Sequence, residues 1–185
     1  MSSRSFSTRK GERWLTRTLC VILFSTFHFP LFTSCSGGYS FTGASIPPGA
    51  KTIVVNTFPN NASTVNPQLS QKLTDELRSM FSGQTPLSVM TDGEGDLEVS
   101  GEIIGYVTRA SALSSSDDVS MNRLTVTIKV HFVNNLDHDA DFDQQFSRYR
   151  DYAASKDFSS VEAGLVSEIV TELCEDVFNK SVVNW

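Results

Sequence analysis

Cysteine and histidine are scarce in this sequence, with three of each among 185 residues. No Cys-x-x-Cys pair occurs, so the ligand spacing of a zinc or iron–sulfur site is absent. The acidic stretch at residues 137–143 lacks the Gly and Glu that an EF-hand loop requires, and it is better interpreted as a solvated turn. Neither a Gly-x-Ser-x-Gly turn, a phosphate-binding glycine loop nor a His-Glu-x-x-His motif occurs. We therefore predict a protein that is not an enzyme and has no metal site.

Long apolar runs are also lacking. The apolar stretch at residues 19–29 is about 11 residues long, whereas a membrane-spanning helix needs roughly 20. Pro30 closes this stretch, and a basic segment precedes it. The basic residues are Arg4, Arg9, Lys10, Arg13 and Arg17. This arrangement predicts a cleaved signal sequence.

Cys35 ends the run Leu-Phe-Thr-Ser-Cys, which has the arrangement of a bacterial lipoprotein signal. The small residues Thr33 and Ser34 leave the backbone accessible to a peptidase. We predict that residues 1–34 are removed and that Cys35 carries S-diacylglycerol and an N-acyl chain such as palmitate, with no other cofactor. Each buried methylene contributes about 0.8 kcal/mol, so several acyl chains form a stable anchor. The alternative is an ordinary secretory signal followed by a chance cysteine.

The residues after Cys35 indicate where the chain is anchored. Ser36, Gly37 and Gly38 include no acidic residue, so an Asp-type signal for inner-membrane retention is absent. We predict an outer-membrane lipoprotein on the periplasmic side. Residues 35–50, rich in Gly, Ser and Pro, form a lipidated N-terminus and tether, and residues 51–185 form one domain.

Positive charge is scarce in the mature chain. Removing the signal takes away five basic residues and Glu12, which leaves 10 Lys and Arg against 20 Asp and Glu, a net charge of −10. Nucleic-acid binding is not expected, because phosphate backbones require Lys and Arg. With Cys35 lipidated, Cys174 is single and no intramolecular disulfide can form.

Two segments have helical periodicity. In the first, Asn66 supplies an N-cap, Pro67 the first helical position and Gly83 the end. Its apolar stripe consists of Leu69, Leu73, Leu77, Met80 and Phe81. The second opens at Ser159 with Glu162 at capping-box spacing, and its broad apolar side suits a helix that lies on a sheet.

Strand patterns surround these helices. Residues 52–58 form a β-branched run, residues 87–90 a short strand, and residues around 142–149 a last strand. Two longer runs alternate with period two and are joined by the Ser-rich segment 109–120. Their predicted inward residues are Leu97, Val99, Ile103, Val107, Leu124, Val126, Ile128, Val130 and Phe132, with Ile104 and Tyr106 outward. The predicted fold is a two-layer α/β (α+β) sandwich, with two helices on one face of a mixed four- to five-stranded sheet.

Four basic side chains are candidates for contact with an anionic lipid. Arg123 and Lys129 share the open face of their strand, and Arg148 and Arg150 share a face of theirs. Cross-strand ion pairs are the ordinary interpretation of such residues. A site for a phosphorylated lipid head group is the alternative.

The order of these features resembles a known family. The Cys followed by Gly38-Tyr39-Ser40-Phe41 and the Leu69-Ser70-x-x-Leu73 helix match its opening. The strand Gly95-Asp96-Leu97-x-Val99-x-Gly101-x-Ile103, the strand from Asn122 to Val126 and the closing helix continue the match. Over essentially the whole mature length, the chain is similar to LptE-type lipopolysaccharide-assembly lipoproteins of the outer membrane.

This resemblance implies a non-enzymatic role. Members of the family form a plug inside the LptD-type β-barrel translocon that delivers lipopolysaccharide to the cell surface, and they help that barrel assemble. Direct binding of lipopolysaccharide is a further candidate role. Residues 109–120 are the predicted barrel contact. The alternative function is a periplasm-facing lipoprotein that activates a peptidoglycan synthase or serves as a transporter accessory.

Overall fold

The structure, a computed structural model, describes residues 46–64, 66–111 and 120–182. Three predictions fall outside these residues: the signal at 1–34, the lipid attachment at Cys35, and residues 112–119 of the barrel contact. Within the described ranges, no helix is both long and apolar enough to cross a membrane.

Five strands and two long helices make up the fold. In chain order they are β1 (Thr52–Val55), α1 (Leu69–Gln84), β2 (Ser88–Met90), β3 (Leu97–Ser111), β4 (Met121–Asn134), a 3-10 turn (His138–Ala140), β5 (Phe142–Ala153) and α2 (Phe158–Val182). The sheet order is β2-β1-β3-β4-β5. Strand β1 runs parallel to both of its neighbours, and the β3–β4 and β4–β5 pairs are antiparallel. The predicted mixed sheet with two helices is confirmed.

The core lies between the helices and one face of the sheet. Each second residue of β4, from Leu124 to Phe132, is buried, and the residues between them are not. The apolar stripes of α1 and α2 join the same cluster. One apolar layer therefore serves both helices, as the two periodicities predict.

A β-bulge in β3 corrects part of the predicted pattern. The pairing with β4 shifts between Ile103 and Gly105, so Ile104 is an extra residue. Before the bulge the odd-numbered residues of β3 point into the core, and beyond it the even-numbered residues do. Tyr106 is consequently buried, at 4% exposure, although strict alternation predicts it outward. Val107, predicted inward, lies on the opposite face.

The helix starts also differ in detail from the predictions. The Asn66 side chain accepts a hydrogen bond from the Gln68 N–H at 3.0 Å, as an N-cap would. Pro67 and Gln68 nevertheless form a turn, and α1 begins only at Leu69. The capping box predicted at Ser159 and Glu162 is not formed. The Ser159 hydroxyl donates to Asp157 at 2.5 Å, and Glu162 binds residues outside its own helix.

Asp96 ties the start of β1 to the start of β3. One carboxylate oxygen accepts the N–H groups of Lys51 and Thr52 at 2.8 and 2.9 Å and the Thr52 hydroxyl at 2.9 Å. The Lys51 N–H and then the two Thr52 donors hold the pKa of this carboxyl below its usual range. Because these donors favour the charged carboxylate, this link is strongest above the acid range and weakens as pH falls.

Candidate functional site

The sheet has one face that no helix covers among the described residues, which we call the open face. It carries the side chains that alternate with the core positions of β3, β4 and β5. They include Glu98, Ser100, Glu102, Arg123, Thr125, Thr127, Lys129, His131, Asp143, Gln145, Ser147, Tyr149 and Asp151. Because of the bulge, Val107 lies on this face in place of Tyr106.

Lys129 lies in a shallow depression of the open face, about 300 Å³ in volume. Its direct cross-strand neighbour is Glu102, whose carboxylate accepts the Asn61 side-chain amide at 2.7 Å. On its other side, His131 and Asp143 contact each other at 3.2 Å. Within the described residues, the Lys129 ammonium has no hydrogen bond or ion pair of its own. It is therefore an exposed cation available to an external anion.

Arg123 lies on the same face but is held by its neighbours. Its guanidinium donates two hydrogen bonds to Asp151, at 2.7 and 2.8 Å, and lies 3.7 Å from the centre of the Tyr149 ring. The hydrogen bonding between Arg123 and Asp151 raises the pKa of the arginine and lowers the pKa of the aspartate. Such a bidentate, stacked guanidinium is fixed in orientation.

Arg148 and Arg150 lie on the other side of the sheet, facing α2. Arg148 donates to both oxygens of Asp176, at 2.6 and 2.5 Å. Arg150 donates to Glu168 at 2.7 Å and to Glu172. The hydrogen bonds that Arg150 donates, first to Glu172 and then to Glu168, raise its pKa. The four predicted cations are thus divided between two faces and form no single cluster.

The sequence contained a signal for this division. Phe142 and Phe146 pack on the core side of β5, and Arg148 and Arg150 continue the same even-numbered row. Side chains two residues apart in a strand share a face. Their guanidinium groups therefore extend over the helix layer, where α2 presents carboxylates.

A polar cluster that sequence reasoning missed joins three elements. The Tyr106 hydroxyl donates to Glu162 at 2.5 Å, and the Asn66 side-chain amide donates to the same oxygen at 2.8 Å. Burial, and then the bond to Glu162, raise the pKa of the Tyr106 phenol. This cluster fixes the first turn of α2 against β3 and the segment before α1. The cluster lies on the helix side of the sheet, away from the open face.

Within residues 46–64, 66–111 and 120–182, no three His, Cys, Asp or Glu side chains converge as metal ligands would. Cys174 is buried in the core, and burial raises the pKa of its thiol. A buried thiol of this kind behaves as a small apolar residue.

Comparisons with known proteins place the chain by family and by fold. A family model described as LptE, lipopolysaccharide-assembly, matches residues 50–181. No curated protein matches the chain significantly.

Comparison with solved structures finds several similar chains. A neuraminyllactose-binding hemagglutinin homolog from Helicobacter pylori is 11% identical, with a TM-score of 0.50 over 77% of this chain and 91% of that one. A protein from Xanthomonas campestris is 8% identical, with a TM-score of 0.51 over 76% of this chain and 90% of that one. A minor lipoprotein from Acinetobacter baumannii is 10% identical, with a TM-score of 0.43 over 68% of this chain and 91% of that one. At these identities the first two show a shared fold alone.

Proposed function

The chain belongs to the LptE family of lipopolysaccharide-assembly proteins, whose model spans residues 50–181, and from this membership we propose an outer-membrane lipoprotein. In this proposal the protein plugs and helps assemble the β-barrel translocon, an LptD-type protein, that transports lipopolysaccharide to the cell surface. It does so from the periplasmic side, held by the lipid on Cys35, and catalyses no reaction. The family match carries this proposal.

The open face is consistent with the plug role. A sheet with one face packed on helices and one polar face can stand in a water-filled lumen without further cover. Strand β3 ends at Ser111 and β4 begins at Met121. The segment that joins them therefore connects the two strands at the tip of the longest hairpin of the described fold. We retain residues 109–120 as the proposed barrel contact.

The experiment that tests this function is a pull-down of the lipidated protein, solubilised in detergent from its own membranes, with mass spectrometry of the co-purifying proteins. We expect one large barrel protein at a near one-to-one ratio. Recovery of cell-wall synthases or transporter subunits without a barrel would contradict the plug role. That result would support the accessory-lipoprotein alternative.

Binding of an anionic lipid belongs to this proposal as a second step. Among the four predicted cations, Arg148 and Arg150 are neutralised by carboxylates of α2, and Arg123 is held by Asp151. Lys129 is the exposed cation without such a partner in the described structure. We propose that Lys129, on the open face, makes the contact to a lipid phosphate.

Lys129→Ala should weaken binding of purified lipopolysaccharide by about tenfold to a hundredfold, because one charge-assisted hydrogen bond contributes roughly 1.5–3 kcal/mol. The matched control is Lys156→Ala, which removes the same charge from the exposed turn after β5. Fluorescence titration of both variants gives the comparison. Equal weakening in both would indicate a general charge effect, and no weakening in Lys129→Ala would contradict this contact.

Cys35→Ala should abolish lipidation, because the thioether to diacylglycerol forms only on that thiol. The measurement is metabolic labelling of cells with radioactive palmitate, followed by immunoprecipitation. Cys174→Ala is the control and should retain the label, since that thiol lies in the core. Persistent label on Cys35→Ala would show that the signal at residues 31–35 was wrongly assigned.

A further inference from the structure

The two edges of the sheet differ in how well they are protected from further pairing. Strand β2, at one edge, has three residues, and short edge strands resist pairing. Strand β5, at the other edge, has 12 residues and pairs with β4 without interruption from Met121–Ala153 to Phe132–Phe142. It contains no Pro, Gly or Lys and no bulge, which are among the usual means of blocking an edge, and its inward-pointing charges, Arg148 and Arg150, lie beyond the stretch from Phe142 to Ser147.

Hydrogen-bond parity identifies which backbone groups of β5 face outward. The Ala154 N–H donates to the Ser120 carbonyl at 2.9 Å, in the same register as the β4–β5 ladder. Along an antiparallel pair of strands, directly opposed residues alternate between hydrogen-bonded pairs and pairs without backbone hydrogen bonds. Even-numbered residues of β5 therefore bond to β4, and the N–H and C=O groups of Asp143, Gln145 and Ser147 point away from it.

These outward groups are unoccupied by the described chain. No hydrogen bond in the described residues reaches the backbone N–H or C=O of Asp143, Gln145 or Ser147. The Tyr149 carbonyl accepts from the Arg150 guanidinium at 2.9 Å, but a carbonyl oxygen has a second lone pair. The ion pairs with Asp176, Glu168 and Glu172 draw Arg148 and Arg150 towards α2, which leaves the edge from Asp143 to Ser147 open.

The charges beside this edge favour a basic partner. On the helix side, three carboxylates of α2 (Glu168, Glu172 and Asp176) face two guanidinium groups. On the open side, Asp143 is more than half exposed and contacts only a histidine among charged side chains. The mature chain carries a net charge of −10. A second copy of this chain would bring the same acidic rim against itself, whereas a strand with Lys or Arg side chains would be attracted.

We propose that β5 is a docking edge for an extended, basic segment of another protein, which adds to the sheet as a sixth strand. Backbone hydrogen bonds to Asp143, Gln145 and Ser147 supply the pairing. Basic side chains at alternate positions of the segment reach the acidic rim of α2. This inference does not depend on the barrel-plug role, because any partner with such a segment satisfies it.

Amide hydrogen exchange with a defined peptide tests the proposal. The full lipidated protein in detergent is titrated with a heptapeptide of alternating Lys and Thr, and in parallel with one of alternating Glu and Thr. With the Lys peptide we expect exchange at Gln145 and Ser147 to slow by about tenfold or more. Exchange at Gln144 and Phe146, whose N–H groups already bond to β4, should change little. The Glu peptide should produce no such slowing.

Two controls separate edge pairing from binding elsewhere. Ser147→Pro removes an outward N–H without removing a bond to β4 and should abolish the slowing at Gln145, whereas Ser147→Ala should retain it. A Lys/Thr peptide with N-methyl groups on alternate amides, used with the unaltered protein, should also fail. This second test remains valid if the proline variant does not fold.

Several outcomes would overturn the proposal. They are slow exchange at Gln145 and Ser147 before peptide is added, an equal response to the Glu peptide, or full retention of the effect with the N-methylated peptide. Sedimentation of the free protein as a dimer with the same amides protected would identify a second copy as the occupant instead.

Discussion

Ile169→Asp is expected to leave the domain unfolded at 25 °C. Ile169 is fully buried in the layer between α2 and the sheet, and a carboxylate there would have no partner. Burying an unpaired charge costs several kcal/mol, which is comparable with the whole stability of a domain of this size. Far-ultraviolet circular dichroism and urea denaturation of the variant would measure the loss.

The same helix provides the control for this substitution. Thr171→Asp introduces the same side chain two residues away, at an exposed position, and should change the free energy of unfolding by about 0.5 kcal/mol or less. Leu165→Asp should fall between the two, because Leu165 is only partly buried. A folded Ile169→Asp with an unchanged melting temperature would mean that the buried face of α2 is wrongly assigned.

Gly101→Ala is the second substitution for which we expect a large effect. A Cβ at Gly101 would lie 2.3 Å from the Lys129 carbonyl oxygen and 2.6 Å from the Phe58 ring. The first atom belongs to the backbone of β4 and the second to a fully buried ring, so neither can move without disturbing the sheet. We expect destabilisation of about 3 kcal/mol and a fall in melting temperature on the order of 10 °C.

Gly164→Ala is the matched control for the glycine substitution. Nothing lies within 4 Å of a Cβ built at Gly164, which is in α2. Replacing a helical glycine by alanine should stabilise the protein by roughly 0.5–1 kcal/mol. Scanning calorimetry of both variants should therefore show melting temperatures that move in opposite directions. A Gly101→Ala protein as stable as the original would contradict the close approach of Phe58 to β3.

The regular parts of the fold could be predicted because their hydrophobic patterns are long. Leu124 to Phe132 alternates without a break, and the apolar stripes of the two helices have ordinary helical spacing. The bulge at Ile104 could not be predicted in this way. The strand alternates regularly both before and after the extra residue. Only the face to which the apolar residues after the bulge point is changed. Strict alternation therefore predicts the wrong faces for Tyr106 and Val107.

The candidate site was less predictable than the fold, for two physical reasons. The choice of Arg123 and Lys129 as residues of the open face was correct, since strand alternation determines it. Whether each cation is available depends on pairing partners far away in sequence, and Asp151 and Asp176 are each 28 residues from the arginine that they bind. Glu162 shows the same limit, because local spacing suggested a helix cap while its actual partners lie 56 and 96 residues away.

The cluster of Asn66, Tyr106 and Glu162 has a consequence for how the chain reaches its native state. Asn66 stands just before α1, and the Cys174 thiol of α2 lies 3.7 Å from the Leu73 carbonyl, 101 residues earlier in sequence. Contacts of such long separation form slowly, because loop closure comes before any stabilising gain. A chain synthesised from its N-terminus therefore leaves α1 and the apolar face of the sheet exposed until the last 25-residue helix becomes available. Folding of the domain therefore ends with the docking of α2.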